Sequence, residues 1–119
     1  MTLKSVAVQG VALFFAWPMP TQEPSQPLTL REVVEIVADY DVRHSYVPDA
    51  TPYWGLTDYE RRTMFLVTNG DLTTRRQAAL HELIHIGRRM RGQQAATRDE
   101  EEVLVQTATL KLYQELFGQ

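Results

Sequence analysis

The apolar positions of the chain follow a helical period in three stretches and form two short runs between the first and second of these. The first helical stretch carries its apolar side chains at Leu30, Val33, Val34, Val37 and Tyr40. This spacing places them on one face of a helix. The helix should follow Thr29, because a threonine with Glu32 three residues later forms a capping box, in which each side chain accepts a hydrogen bond from a free backbone N–H.

The two short apolar runs predict a pair of strands. Residues Tyr53 to Leu56 and Thr63 to Val67 flank the charged turn 58–62, as in a β-hairpin. The sequence Asn69-Gly70-Asp71 is a turn signal that ends the second strand. The stretch from Asp39 to Pro52 contains two prolines and is predicted to be irregular.

A second helix is predicted from a second capping box, formed by Thr74 and Gln77. It should begin near Arg75 and stop near Gly92. The side that packs on the core is predicted to consist of Ala79, Leu80, Leu83, Ile84, Gly87 and Met90. The opposite side then faces a cleft.

A last helix is predicted from a third capping box, formed by Thr97 and Glu100, to about Phe117. A chain of 119 residues is large enough for one hydrophobic core and too small for a second. We therefore expect residues 1–119 to form one α+β domain, with three main helices and a small sheet or hairpin before the second helix.

Residues 1–27 are predicted to form an N-terminal extended segment and a surface connection. The apolar stretch from Val6 to Trp17 superficially resembles a signal peptide, but Gln9 and Gly10 interrupt it and no A-x-A cleavage signal follows, so a strand or hairpin is favoured. It is also shorter than the roughly 20 apolar residues that a membrane span needs. The Pro- and Gln-rich stretch from Pro18 to Pro27 cannot continue a helix or a central strand.

The net charge and the cysteine content limit the binding partners and the metal ligands that we expect for this chain. A net charge of −3 gives no case for binding to nucleic acid or to a membrane. The chain has no cysteine, which excludes disulfides and thiolate ligands and leaves His, Asp and Glu as candidate metal ligands. The absence of cysteine also suits the cytoplasm, which is the location we expect.

The second predicted helix carries the motif His81-Glu82-Leu83-Ile84-His85. Histidines four residues apart lie one turn apart on the same helical face, so both imidazoles can reach one metal ion. Glu82 lies beside that position and can take a proton from a metal-activated water. His44 is the one histidine outside the motif, and this clustering favours a zinc site over a chance pair of surface histidines.

A catalytic zinc ion normally has three protein ligands and an open position, so a third ligand is needed. On a helical wheel, Glu102 lies near the middle of the apolar face of the last helix, Glu101 at its border and Glu100 toward solvent. An ionised carboxylate on a buried face is costly unless it is paired or bound to a metal, so Glu102 is preferred as the ligand. Glu101 is the second candidate and His44 the third.

Gln106 is a candidate for orienting one of the ligating histidines. It lies one turn after Glu102 on the same face, where its amide oxygen can accept the spare ring N–H. A partly buried glutamine bonded to the backbone would explain the same position equally well.

The arrangement of an HExxH helix followed by a helix with a glutamate resembles the gluzincin metallopeptidases. The order of helix, hairpin, HExxH helix and glutamate helix is most similar to the minimal gluzincins and to the ImmA/IrrE-type proteases, which cleave repressor proteins. Residues Tyr53 to Gln106 carry the likeness, and Trp54 to Leu56 with Met64 to Val67 resemble the hairpin before the motif. The family usually has Asp or Asn four residues after the glutamate, where this chain has Gln106.

The resemblance implies a minimal zincin-like fold and zinc-dependent hydrolysis of peptide bonds in a peptide or protein substrate. His81, His85 and Glu102 would bind Zn²⁺, and Glu82 would act as the general base and acid. Such enzymes usually place a Tyr or His near the developing oxyanion, and the candidates are Tyr46, Tyr53, Tyr113 and His44. A strand beside the cleft can hold an extended substrate by strand addition, and Met64 to Val67 would be that strand.

Two other functions stay open at this point. The chain could be a catalytically silent zincin-like module that binds a protein partner without cutting it. Its small size favours that function, whereas Glu82 argues against it, because a zinc site that only binds has no use for a base. The chain could also be a latent enzyme in which residues 1–27 lie across the cleft.

Overall fold

The computed structural model describes residues 26–48 and 54–118. In chain order these residues form α1 (Leu30–Asp39), β1 (Asp41–Ser45), β2 (Gly55–Asp58), β3 (Thr63–Val67), α2 (Leu72–Met90) and α3 (Arg98–Phe117). The predicted α+β class, with three main helices and a small sheet, is confirmed for the described part of the chain. The predicted N-terminal extended segment and most of the connection, residues 1–25, lie outside the described residues.

Two of the three predicted capping boxes are confirmed. At the start of α1, the Glu32 amide donates to Thr29 Oγ1 over 3.1 Å, and the Thr29 amide donates to Glu32 Oε1 over 2.9 Å. At the start of α3, Thr97 and Glu100 exchange the equivalent bonds over 3.1 and 3.3 Å. Both boxes depend on residues three apart, so the local sequence is sufficient to specify them.

The helix α2 begins earlier than predicted. Asp71 is its N-cap residue and accepts a hydrogen bond of 2.8 Å from the Thr74 amide, so Thr74 lies inside the helix and the predicted Thr74–Gln77 capping box is wrong. Aspartate is a preferred N-cap residue, and Asp71 both ends the turn and begins the helix. The predicted stop near Gly92 agrees with the structure, where Gly92 has a left-handed backbone with φ of +71°.

The sheet has the strand order β1-β3-β2, with β1 parallel to β3 and β2 antiparallel to it. The predicted hairpin is therefore present, but β3 is the central strand. The prediction that Asp39 to Pro52 is irregular is wrong for Asp41–Ser45, which form β1, and residues 49–52 of that stretch lie outside the described residues. All five residues of β1 are exposed and show no apolar alternation, so this strand is specified by its pairing with β3.

The core lies where α1, β3 and α2 meet, and its buried members are Ile36, Met64, Leu66 and Ile86. The predicted core side of α2 is correct for Ala79 and Leu83, which pack against this core, and for Ile84 and Gly87, which are buried. It is wrong for Met90, which is 51% exposed, and it omits Ile86, which is fully buried. The reason is that α2 contacts α1, α3, β2 and β3, so more than one side of it is covered.

None of the helices in the described ranges has the length and apolar character needed to cross a lipid bilayer.

Candidate functional site

The two motif histidines lie one turn apart on α2 and point to the same place. Their Nε2 atoms are 3.2 Å apart, and the ring centroids of His81 and His85 are 4.8 Å apart with an interplanar angle of 68°. Both side chains are largely covered, with 20% of His81 and 11% of His85 exposed. The helical spacing therefore brings the rings together as expected.

Glu102 reaches this pair of rings from the first turns of α3. Its Oε1 lies 3.1 Å from Nε2 of His81, and its Oε2 lies 2.9 Å from Nε2 of His85. Among the described residues, these three side chains form a group whose possible ligand atoms all lie within 4.8 Å of one another. The structure thus brings together the three side chains that the sequence predicts as metal ligands.

The donor set fits a zinc ion. Zinc accepts imidazole nitrogen and carboxylate oxygen, and tetrahedral bonds of about 2.0–2.1 Å put donor atoms about 3.3 Å apart. The distances of 2.9 to 3.2 Å between the converging donors are close to that separation. Two imidazole nitrogens that face each other at 3.2 Å cannot both present a lone pair without repulsion, whereas a cation between them satisfies both.

Gln106 orients one of the rings. Its Oε1 lies 3.0 Å from Nδ1 of His81, so the amide oxygen can accept the Nδ1–H of the ring. This tautomer leaves the lone pair of Nε2 directed at His85 and Glu102. The structure therefore contains the contact that the sequence proposed for Gln106.

The environment of His85 favours the neutral ring that binds metals. Burial lowers the pKa of the His85 imidazole below its ordinary value. The carboxylates of Glu102, Glu82 and Glu101 act in the opposite direction without reversing the shift. A neutral imidazole can offer a nitrogen lone pair, whereas a protonated one cannot.

Glu101, the second candidate for the third ligand, is occupied elsewhere. Arg88 donates to both of its oxygens, from Nε to Oε2 over 2.8 Å and from Nη2 to Oε1 over 2.9 Å. The amide of Ala95 adds a third bond of 2.8 Å. Burial by itself raises the pKa of the Glu101 carboxyl, but the bonds from Arg88 and Ala95 outweigh burial and hold the pKa below its ordinary value.

The burial argument that selected Glu102 from the sequence is wrong, although Glu102 does lie in the cluster. The side chain of Glu102 is 49% exposed, whereas that of Glu101 is 12% exposed. The buried residues of α3 are Glu101, Val105 and Thr109, which form a narrow stripe one turn apart. Glu102 lies beside this stripe and faces the cleft. His44, the third candidate, is exposed on β1 and is not part of the cluster.

Glu82, the predicted general base, is buried between α2 and the edge of the sheet. The hydroxyl of Thr57 on β2 donates a hydrogen bond of 2.6 Å to Oε1 of Glu82. A Cβ atom on Gly55 would lie 3.0 Å from both Cγ and Oε2 of Glu82, so the glycine makes room for this carboxylate. Sequence reasoning missed Thr57 and Gly55, because neither belongs to a motif and both are far from Glu82 along the chain.

A cleft of about 940 Å³ opens in front of these groups. One wall is formed by residues 54–57, the floor by α2, and the other wall by residues 94–98 and the start of α3. His81, Glu82, His85 and Glu102 all line it. The cleft thus lies between the sheet edge and the motif helix, with the possible metal ligands and the carboxylate of Glu82 on one surface.

The strand beside the cleft is β2, and the prediction that Met64 to Val67 would hold a substrate is wrong. Those residues lie in β3, which is paired with β1 on one side and β2 on the other. Among the described residues, the outer edge of β2 has no strand next to it. Val67 donates to the Trp54 carbonyl, so the antiparallel alternation leaves the N–H and C=O of Gly55 and Thr57 pointing away from β3.

The three predicted oxyanion residues that the structure describes, His44, Tyr46 and Tyr113, do not line the cleft. Tyr46 and His44 are exposed beside or within β1, the Tyr113 hydroxyl donates to Thr73 Oγ1 over 3.3 Å, and Tyr53 lies outside the described residues. Tyr59, which sequence reasoning did not consider, lines the cleft. Burial and then the charge of Glu82 raise the pKa of Tyr59 to about 12, so its hydroxyl stays protonated at neutral pH.

A scan against protein-family models found no match for this sequence, and searches of the curated proteins and of the solved structures found none either.

Proposed function

We propose that the protein is a zinc-dependent metallopeptidase of the gluzincin type. The observation that carries this proposal is the convergence of His81, His85 and Glu102 in a cleft that also contains Glu82 and the open edge of β2. A metal site alone would need only the first three residues. Hydrolysis of an extended peptide requires in addition the carboxylate beside them and the edge of β2, which has no neighbouring strand in the part of the chain that the structure describes.

Each group has a distinct role in this proposal. Bound zinc would supply a Lewis acid that polarises the scissile carbonyl and lowers the pKa of a water toward about 7. His81, His85 and Glu102 would hold the ion, and Gln106 would hold the ring of His81 in the tautomer that ligation needs.

Glu82 moves the proton. Its Oε1 accepts the bond from Thr57, so Oε2 is the oxygen that takes the proton of the attacking water. The water oxygen bonds to the carbonyl carbon, the C–N bond breaks, and Glu82 delivers the proton to the leaving nitrogen. The immediate products are a carboxylic acid and an amine, and the acid then gives its proton to the amine or to solvent.

The substrate in this proposal is an extended peptide or protein segment. It pairs with the outward-facing backbone groups of Gly55 and Thr57 and so adds a strand to the sheet. The order of helix, sheet, motif helix and glutamate helix supports kinship with the minimal gluzincins and the ImmA/IrrE-type proteases. The lack of cysteine supports action in the cytoplasm.

The test measures the zinc content of the purified protein and its hydrolysis of peptides. Purified protein should bind about one zinc ion per chain and cut peptides in a mixed peptide library, with the new termini identified by mass spectrometry. Glu82→Gln should keep the zinc and lose roughly 10²- to 10⁴-fold in rate, the range expected for a general base. Glu102→Ala should lose most of the zinc.

A catalytically silent binding module is the second candidate, and the hydrogen bond between Thr57 and Glu82 is the observation that favours it. That bond engages one carboxylate oxygen of the proposed base, and a module that only binds a partner would not need this oxygen to be free. Zinc in the wild type with no cleavage of any library peptide, in the presence or absence of added zinc, would favour this candidate over the enzyme.

A further inference from the structure

Arg88 and Glu101 form a buried ion pair next to the proposed metal site. The side chains are 6% and 12% exposed, and two hydrogen bonds of 2.8 and 2.9 Å join them. Glu101 Oε2 also lies 3.9 Å from Nδ1 of His85, so the pair is in contact with the site without being part of the proposed ligand set.

The same pair also makes hydrogen bonds to the loop between α2 and α3. Arg88 Nη2 also donates to the Gln93 carbonyl, and the Ala95 amide donates to Glu101 Oε1 over 2.8 Å. The end of α2, the loop and the first turn of α3 are thereby joined through two side chains. Every polar contact in this network is local to the α2–α3 junction.

Three pairs of side chains join α2 and α3 along their length. His81 meets Gln106, His85 meets Glu102, and Arg88 meets Glu101, so the residue numbers rise on α2 as they fall on α3. The helices are therefore antiparallel, and Arg88–Glu101 is the side-chain pair nearest the loop. Glu101 and Glu102 are about 100° apart on α3, so fixing the first toward Arg88 directs the second toward the imidazoles.

We propose that Arg88 and Glu101 are positioning residues for the metal site, which set the rotation and the height of α3 so that Glu102 meets His81 and His85. This inference rests on the proposed function. A shift of α3 by one residue would move the carboxylate by about 1.5 Å along the axis and 100° around it, whereas zinc–ligand distances hold within about 0.2 Å. Glu102 is 49% exposed and has little packing of its own to hold it in place.

The test measures zinc affinity by competition with a chromophoric chelator. In the double variant Arg88→Met/Glu101→Leu, two apolar side chains replace the pair, which avoids an unpaired buried charge and so preserves folding. We expect zinc to bind roughly 10- to 100-fold more weakly, the range seen when a residue that orients a metal ligand is lost. The far-UV circular dichroism of the metal-free protein should be unchanged. Glu101→Gln, which has the same shape, serves as a second variant if the double variant does not fold.

A thermodynamic cycle separates positioning from general stability. Glu102→Ala should weaken zinc binding strongly in the wild type and much less in the double variant, because Glu102 is already misplaced there. The matched control is Glu32→Leu/Arg91→Met, which removes another doubly bonded pair at the same end of α2, one that points to α1. The control should lower the unfolding temperature and leave zinc affinity unchanged.

Wild-type zinc affinity in the double variant, or an equal effect of Glu102→Ala in both backgrounds, would overturn the positioning role and leave the proposed function standing. A wild-type protein that binds no zinc would overturn both. A loss of zinc in the Glu32/Arg91 control as large as in the double variant would show a general effect of stability and would also overturn the positioning role.

Discussion

The hydroxyl of Thr57 lies 2.6 Å from Oε1 of Glu82 and donates a hydrogen bond to it. This bond links the motif helix α2 to the edge strand β2. In the proposed enzyme, β2 holds the substrate and Glu82 moves the proton, so the bond fixes the base relative to the bound peptide.

Thr57→Val keeps the shape of the side chain and removes its hydroxyl. We expect the rate of peptide hydrolysis to fall by about tenfold or more, because small displacements of a catalytic group are costly. Zinc content should stay at the wild-type level, since no ligand is touched.

Thr63→Val is the matched control for this variant. Thr63 is a threonine of the adjacent strand and is buried, whereas Thr57 is half-buried, and the Thr63 hydroxyl donates to the Arg61 carbonyl. This control should leave the hydrolysis rate unchanged. Equal rates in Thr57→Val and the wild type would show that the bond does not position the base.

Gly55→Ala should impair catalysis through steric contact with Glu82. The added Cβ would lie 3.0 Å from Cγ and Oε2 of that side chain, so the carboxylate has to move. We expect a reduced kcat with retained zinc. Leu56→Ala, at the adjacent exposed position, should have a much smaller effect. A Gly55→Ala protein with wild-type kcat would mean that Glu82 relaxes without harm to its function.

Gln106→Leu should weaken zinc binding, because Nδ1 of His81 loses its acceptor. Loss of such a partner typically costs 10- to 100-fold in metal affinity. We expect roughly the lower end of this range, because Gln106 is exposed to solvent. Gln106→Glu keeps an acceptor and adds negative charge, so it should bind zinc at least as tightly as the wild type. The prediction fails if Gln106→Leu and Gln106→Glu have the same zinc affinity.

The pair of Glu32 and Arg91 should stabilise the fold in a pH-dependent manner. The hydrogen bonds from Arg91 hold the pKa of Glu32 at about 2, below its ordinary value of 4.5. A carboxyl whose pKa is depressed by folding stabilises the native state above the pKa of the unfolded chain, and this contribution is lost as the pH falls through the folded pKa. The relevant window therefore extends from about pH 4.5 down to pH 2.

Glu32→Gln isolates that charge, because glutamine can still complete the capping box with Thr29. We expect the variant to be less stable than the wild type at pH 7 by about 1–2 kcal/mol, the range for a hydrogen bond to a charged group that solvent partly screens. The difference should shrink as the pH is lowered from 4.5 toward 2, which urea titrations at several pH values would measure. A difference that stays constant over this range would argue against a role for the carboxylate charge.

Local signals in the sequence account for the helices and the hairpin. The capping boxes at Thr29 and Thr97 involve residues three apart. The apolar face predicted for α1 does not coincide with its buried side, because Leu30, Val34 and Val37 are exposed and Ile36, which the prediction omitted, is the buried residue. The start of α2 was misplaced because Asp71 and Thr74 both have N-cap character. A choice between neighbouring caps depends on where the preceding strand ends, which the cap sequence does not contain.

Non-local pairing explains what sequence reasoning missed. The strand β1 has an exposed, non-alternating sequence and exists because its backbone pairs with β3. The contact between Thr57 and Glu82 likewise joins residues 25 positions apart. No periodic pattern connects such residues, because their approach depends on how α2 packs on the sheet.

The sequence by itself determined that His81 and His85 share one helical face beside Glu82, because four residues make about one turn of an α-helix. Only the tertiary structure decided which carboxylate joins them. Glu101 and Glu102 are adjacent in the chain, and the packing of α3 against α2 turns Glu101 toward the guanidinium of Arg88 and leaves Glu102 facing the imidazoles. The reason is physical: the rotation of a helix about its axis is set by the side chains it packs against, and these come from a different part of the chain.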